Sequence, residues 1–200
     1  MTDKPNAPAT GRNSQPILDV LRSEFATARS VLEIGSGTGQ HAVYFARELE
    51  NLVWHTSDRA ENIAGITTWV DDSGLLNVRS PIELDVLSSA RPDTKFDAVF
   101  SANTAHIMSF AAVRRMFEVV AHCLQPNGVF CLYGPFNEDG EFTSPSNEQF
   151  DLSLRGQNPQ MGIRDIRDLD DLAKDNDMQR LRNYAMPANN QIVIWTKAQE

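Results

Sequence analysis

Apolar residues along the chain alternate between short continuous runs and runs spaced three and four apart, the signature of strands alternating with helices. Ile17, Leu18, Leu21 and Phe25 fall on one face of a helix over Pro16–Thr27, with a proline near its first turn. A strand over Ser30–Ile34 runs into a cluster of glycines. Ala42, Val43, Phe45, Ala46 and Leu49 then mark a helix over Gln40–Leu49. The alternation continues with a strand at Leu52–Thr56, a helix at Glu61–Val70 and a strand at Val78–Leu84. Phe96–Ser101 is apolar on both faces, as expected of a central parallel strand. Phe110, Val113, Met116, Phe117, Val120 and Leu124 repeat at helical spacing, and Pro126-Asn127-Gly128 turns the chain into a strand over Val129–Tyr133. Ile166–Asp175 reads as a helix, and Met178–Tyr184 and Gln191–Thr196 as a closing pair of strands.

This order predicts an α/β fold built on a doubly wound, mostly parallel seven-stranded sheet covered on both faces. No helix separates the last two strands, so one antiparallel strand is expected near the C-terminus. Gly134–Asp165 shows no period. It follows the carboxyl end of the fifth strand, where open α/β sheets bind ligands, and irregular stretches of that length are usually functional. Met1–Ser14 has no apolar run, so it is expected to be a flexible tail rather than a signal peptide or anchor, with residues 15–200 forming one domain.

Composition narrows the partners. A net charge of -9 argues against nucleic acid, whose phosphates would be repelled over much of the surface. No segment approaches the roughly 20 apolar residues of a membrane span. Cys123 and Cys131 sit inside apolar patterns without metal-ligand spacing, so no metal site is expected and a reduced, cytoplasmic thiol pair is the simpler reading. A small-molecule substrate is favoured, with a protein substrate the other possibility.

The candidate chemistry starts at Glu33-Ile34-Gly35-Ser36-Gly37-Thr38-Gly39. A strand, a glycine turn and a helix let backbone N–H groups approach a ligand that a Cβ would push away. A dinucleotide fingerprint needs a small residue three positions after its second glycine, and here that residue is Gln40. This weakens a nicotinamide oxidoreductase reading. An acidic residue followed by G-x-G-x-G instead resembles motif I of the class I S-adenosylmethionine (SAM)-dependent methyltransferases. In that reading Glu33, Gly35, Gly37 and Gly39 hold the methionine end. Asp58, closing the second strand, accepts the ribose hydroxyls, and Asp85, closing the third, accepts from the adenine amine. Asp58 also suits a helix cap, and Asp85 a simple turn.

Asn103, just past the fourth strand, is expected beside the transferring methyl as both a cofactor and a catalytic residue. The proline-rich motif of amino-methyltransferases is missing there. His106, with an ordinary pKa near 6.5, is the candidate general base, although a histidine bonded to backbone at a strand end is the plainer alternative. His41, at a helix start, is expected to be structural or a cofactor contact.

Further signatures are Arg12-Asn13, Gln40-His41, Tyr133-Gly134-Pro135-Phe136, Ser146-Asn147, Phe150-Asp151, Leu154-Arg155, Gly162-Ile163-Arg164-Asp165 and Met186-Pro187-Ala188-Asn189-Asn190. Together they resemble the methyltransferase-like protein 26 family, also known as domain of unknown function 938, over Arg12 to Lys197. The resemblance implies a class I, Rossmann-like methyltransferase fold using SAM and releasing S-adenosylhomocysteine. It leaves the methyl acceptor open. Thr56 stands where proline is expected, and Met161 where tryptophan is usual. Tyr133, Phe136, Asn147, Asp151, Arg155 and Arg164 are the expected substrate pocket, with Phe136 aimed across it and a small polar acceptor held by the charges. The competing expectation is that the arginines pair with Asp151 or Asp165 only to hold the loop down. A SAM-binding scaffold that no longer catalyses is the alternative function.

Overall fold

A computed structural model of the chain describes residues 4–199. Its strands are β1 (Ser30–Ile34), β2 (Val53–Asp58), β3 (Val78–Glu83), β4 (Phe96–Ala102), β5 (Leu124–Gly134), β6 (Phe136–Glu138), β7 (Glu141–Phe142), β8 (Arg164–Asp165), β9 (Met178–Met186) and β10 (Asn190–Lys197). Its helices are α1 (Pro8–Glu24), α2 (Gln40–Glu48), α3 (Ala60–Ser73), α4 (Phe110–Cys123), α5 (Pro145–Gln157) and α6 (Ile166–Lys174). Seven strands form one sheet in the order β3-β2-β1-β4-β5-β10-β9. β1 to β5 pair in parallel, and β10 runs antiparallel to both β5 and β9. The strand order reverses between β1 and β4, which opens a crevice at their carboxyl ends.

Alternation along the strands splits the core in two. Val31, Trp54, Ala98, Phe100 and Cys131 face α1, α2 and α3, while Leu32, Ile34, Val99, Phe130 and Leu132 face α4 and α6. Glu33 shares the parity of Val31 and is turned toward the first face. Helix starts are set by side chains: Ser109 accepts from the Ala112 N–H, Ser144 from Asn147 and Asp165 from Arg167.

Two expectations are corrected. The first helix begins at Pro8, not Pro16, so residues 8–14 of the expected tail are helical, and residues 1–3 lie outside the described part. Pro8 suits the first turn, and Pro16 sits inside the helix, where it forfeits one backbone hydrogen bond. Ile17, Leu18 and Leu21, all fully buried, hold the helix regardless. Secondly, Gly134–Asp165 is not a loop: β7, β6 and β8 form a small sheet beside α5. The buried residues of α5 are Asn147, Asp151 and Leu154, so its inward stripe is mainly polar and carries no hydrophobic period.

The expected turn at Pro126-Asn127-Gly128 is present inside β5. The pairing jumps from Phe96–Leu124 to Ala98–Val129, so residues 125–128 bulge outward, with Asn127 left-handed at φ 61°.

Candidate functional site

A cavity of about 710 Å³ lies over the carboxyl ends of β1 to β4. Its floor is the loop 34–38 and its walls are residues 58–65, 84–86 and 102–108. Phe150 of α5 and the segment around Pro5 to Thr10 close its sides.

The glycine loop is tied to β2: the Gly35 and Ser36 N–H groups both donate to the Ser57 carbonyl, at 3.0 and 2.9 Å. The next N–H, of Gly37, donates to Asp58 Oδ2 at 2.7 Å. Gly37, which lines the cavity, is left-handed at φ +59°, and a Cβ there would meet no atom within 4 Å. Gly35 and Gly37 line the cavity, whereas Gly39 does not. A Cβ on Gly39 would lie 3.1 Å from the Ile66 backbone, so this glycine sets the close approach of α2 to α3.

Asp58 is buried at the end of β2. Its Oδ1 accepts from the Arg59 N–H at 2.8 Å and from Asn62 Nδ2 at 2.9 Å. Asp58 thus joins the glycine loop to the start of α3, and Oδ2, with one hydrogen-bond partner, keeps acceptor capacity in a residue that lines the cavity. Asp85 Oδ1 accepts from the Leu87 N–H at 2.9 Å, the turn arrangement, while the residue also lines the cavity. Asn103 is left-handed at φ 59°, an uncommon conformation for a residue other than glycine, and its N–H donates to the Tyr133 carbonyl.

Glu33 is not part of the cavity wall. Its Oε2 accepts from Ser36 Oγ at 2.8 Å and from Trp54 Nε1 at 3.1 Å, so it supports the loop from beneath. Burial raises its pKa to about 7, against the opposing pull of those two hydrogen bonds, and Asp58 adds to the rise. His41 lines the cavity, stacks on Phe45 and meets Asn13 Oδ1 at 2.8 Å. Burial lowers its pKa to about 4.

His106 also lines the cavity, and neither of its ring nitrogens is hydrogen-bonded to another described residue. Burial first, and the Arg164 charge second, lower its pKa to about 4 rather than the ordinary 6.5. The ring is therefore uncharged at neutral pH and takes up a proton less readily than expected.

None of the six expected pocket residues lines the cavity. Tyr133 and Phe136 are buried in the core, so Phe136 does not reach across the opening. Asn147 Nδ2 donates to Thr143 Oγ1 and to the Asn189 carbonyl, both at 3.0 Å. Asp151 accepts from the Ile163 N–H at 2.7 Å and pairs with Arg155 at 2.6 Å. Arg164 Nε donates to the Ala105 carbonyl at 3.0 Å, and Nη2 to the Gln160 carbonyl at 2.9 Å and to that of Met108. Arg164 thereby braces the wall at residues 105 and 108 from behind. Arg155 pairs with Asp151, as in the competing expectation, whereas Arg164 bonds backbone carbonyls rather than Asp151 or Asp165.

Two lining groups escaped sequence reasoning in this role. Phe150 packs edge-on to His106, with ring centroids 5.4 Å apart. The stretch expected as a tail is fastened across the cavity: Gln40 Oε1 accepts from the Ala7 N–H at 2.6 Å and Gln40 Nε2 donates to Asn6 Oδ1 at 2.9 Å. Trp69 Nε1 donates to the Pro5 carbonyl at 2.8 Å, and Lys4 lies over the Trp69 ring and pairs with Asp72. These partners are more than 30 positions apart, so no local pattern reports them.

Comparison with known proteins gives two kinds of match. The model of a family described as "Protein of unknown function (DUF938)" matches residues 4–197. Among solved structures, an O-methyltransferase family protein from Burkholderia thailandensis superposes with a TM-score of 0.81 at 17% identity, covering 96% of this chain and 58% of that one. Human N-acetylserotonin methyltransferase, solved in complex with SAM, superposes with a TM-score of 0.81 at 13% identity, covering 96% and 53%. The chain therefore spans little more than half the length of these proteins. At such identities the likeness establishes the fold, which is that of the class I methyltransferases.

Proposed function

We propose that this chain, which belongs to the DUF938 family, is a SAM-dependent methyltransferase acting on a small-molecule acceptor. The observation that carries this reading is the bond between the Gly37 N–H and Asp58 inside the cavity. It joins a glycine floor to a strand-end carboxylate beside the point where the strand order reverses. The cavity volume falls in the range of sites that enclose small ligands. The narrower kinship with methyltransferase-like protein 26 and a cytoplasmic location belong to the same proposal, as does a single domain, extended from the expected residues 15–200 to take in the helical and fastened residues 4–14.

The residues fit the cofactor. Gly35 and Gly37 leave room for backbone approach, Asp58 Oδ2 has an acceptor site for a ribose hydroxyl, and Asp85 stands at the end of β3 for the base. When bound, SAM supplies a methyl group activated on a sulfonium and leaves as S-adenosylhomocysteine. Glu33 acts through the loop rather than by contact. Asn103 and His106 lie on the wall beyond the loop, where an acceptor would be positioned. The uncharged His106 offers a hydrogen bond to the acceptor rather than a strong base.

Incubation with methyl-labelled SAM and a fractionated cell extract tests the transfer. Label appearing in the small-molecule fraction supports the reading. Label only in protein contradicts a small-molecule acceptor and points to a protein substrate, and no label with SAM demonstrably bound leaves the scaffold alternative.

A further inference from the structure

The cavity is divided by charge. Asp58, Arg59 and Glu61 follow β2 and Asp85 follows β3, so every formally charged residue on its wall lies on one side of the glycine loop in the strand order. On the other side, beyond β4, the wall carries no charge: it is Asn103, Thr104, the uncharged His106, Ile107, Met108 and Phe150. The charges expected in that region are absent from the wall because Asp151 is bound to Arg155 and the Ile163 N–H, and Arg164 is spent on backbone carbonyls. Ile107 and Phe150 are large apolar side chains left 50% and 40% exposed. Such exposure beside a cavity marks a binding surface more often than a packing accident. The polar groups on this side are Asn103, Thr104, whose hydroxyl meets Ser101 Oγ at 2.7 Å, and the His106 ring, whose nitrogens have no partner among the described residues.

We propose that this half of the cavity binds a small, uncharged, planar molecule carrying a hydroxyl group, with its ring against Phe150 and Ile107 and its hydroxyl at His106. An anionic molecule is disfavoured because no positively charged side chain lines this half, Arg164 being held behind it on backbone carbonyls, and the opposite wall is predominantly acidic. The inference rests on the methyltransferase reading for its meaning as an acceptor site, but its geometry does not depend on the cofactor.

The test compares 2-naphthol, uncharged at neutral pH, with 2-naphthoate, its anionic counterpart, by calorimetric titration of the full chain with and without saturating S-adenosylhomocysteine. The expected result is 2-naphthol binding about tenfold more tightly than 2-naphthoate. Phe150→Ala and Ile107→Asp, both at partly exposed positions, should each weaken 2-naphthol about tenfold and leave S-adenosylhomocysteine affinity unchanged. Equal or tighter binding of 2-naphthoate, no binding of either probe, or 2-naphthol binding insensitive to both substitutions overturns the inference. Failure of S-adenosylhomocysteine to bind strikes the methyltransferase reading instead, and the two naphthalene probes then decide the present inference on the cofactor-free protein.

Discussion

The side-chain amide of Gln40 holds the backbone of Ala7, with Oε1 accepting the Ala7 N–H at 2.6 Å while Nε2 reaches Asn6 at 2.9 Å. One residue at the start of α2 thereby fastens the N-terminal segment across the glycine loop that precedes it. Gln40 is also the residue that breaks the dinucleotide fingerprint, so the departure from that pattern coincides with a second structural duty.

Gln40→Ala should loosen the segment. Two hydrogen bonds at about 1 kcal/mol each correspond to roughly a tenfold or greater rise in the rate at which S-adenosylhomocysteine leaves, read by stopped-flow displacement. The same variant should expose the Arg12–Asn13 bond to trypsin. Unchanged release and unchanged cleavage would show that the segment does not control the cavity.

The pKa of Glu33 is raised to about 7 from an ordinary 4.5. The folded protein holds a proton that the unfolded chain gives up, so this stabilisation is complete below pH 4.5 and is lost as pH rises through 7. The loss amounts to about 3 kcal/mol. Glu33→Gln should abolish that decline, read as melting temperature between pH 5 and 9. A variant that declines as steeply as the parent would place the titration elsewhere.

His41 and His106 act with the opposite sign, since burial lowers both to about 4. Each contributes stability that is complete above pH 6.5 and disappears as pH falls through 4, at most about 3 kcal/mol apiece. With Glu33, these groups place the stability maximum near pH 6 to 7. His41→Phe, which preserves the stack on Phe45, should flatten the acid side of the profile. An unaltered acid limb would contradict a neutral buried His41.

Asp151 and Arg155 form an ion pair of unequal partners, the aspartate buried and the arginine 48% exposed. Arg155→Ala should cost under about 1 kcal/mol because an exposed guanidinium gains little from pairing. Asp151→Ala should cost about 2 kcal/mol, because the buried Ile163 N–H loses its acceptor. Urea unfolding of both variants checks the order; equal losses would assign the energy to the ion pair itself.

The legible parts of the fold are those whose buried faces are apolar. β1 and β4 read as continuous apolar runs, and α4 shows its period because Val113, Met116, Phe117 and Val120 all point inward. α5 was illegible because two of its three buried residues are Asn147 and Asp151. The start of α1 was missed because it is held by Gln40 and Trp69, far along the chain. Within the site, spacing located the glycine loop, Asp58, Asp85, Asn103 and His106 on one cavity. Spacing did not separate Gly37, which faces that cavity, from Gly39, which packs two helices. It also did not show that Arg164 and Asp151 are consumed by backbone groups behind the wall, leaving Phe150 as the exposed ring.

Titration of the folded protein with S-adenosylhomocysteine by calorimetry, beside Gly37→Val and with NADH as control, tests the central claim most directly. The variant places a branched residue on the cavity lining at φ +59°, where it is strained. Micromolar binding by the parent, about -8 kcal/mol, with none by a folded Gly37→Val and none of NADH, is the expected result. A folded parent that does not bind, or a Gly37→Val protein that binds equally well, would contradict the placement of the cofactor on this loop.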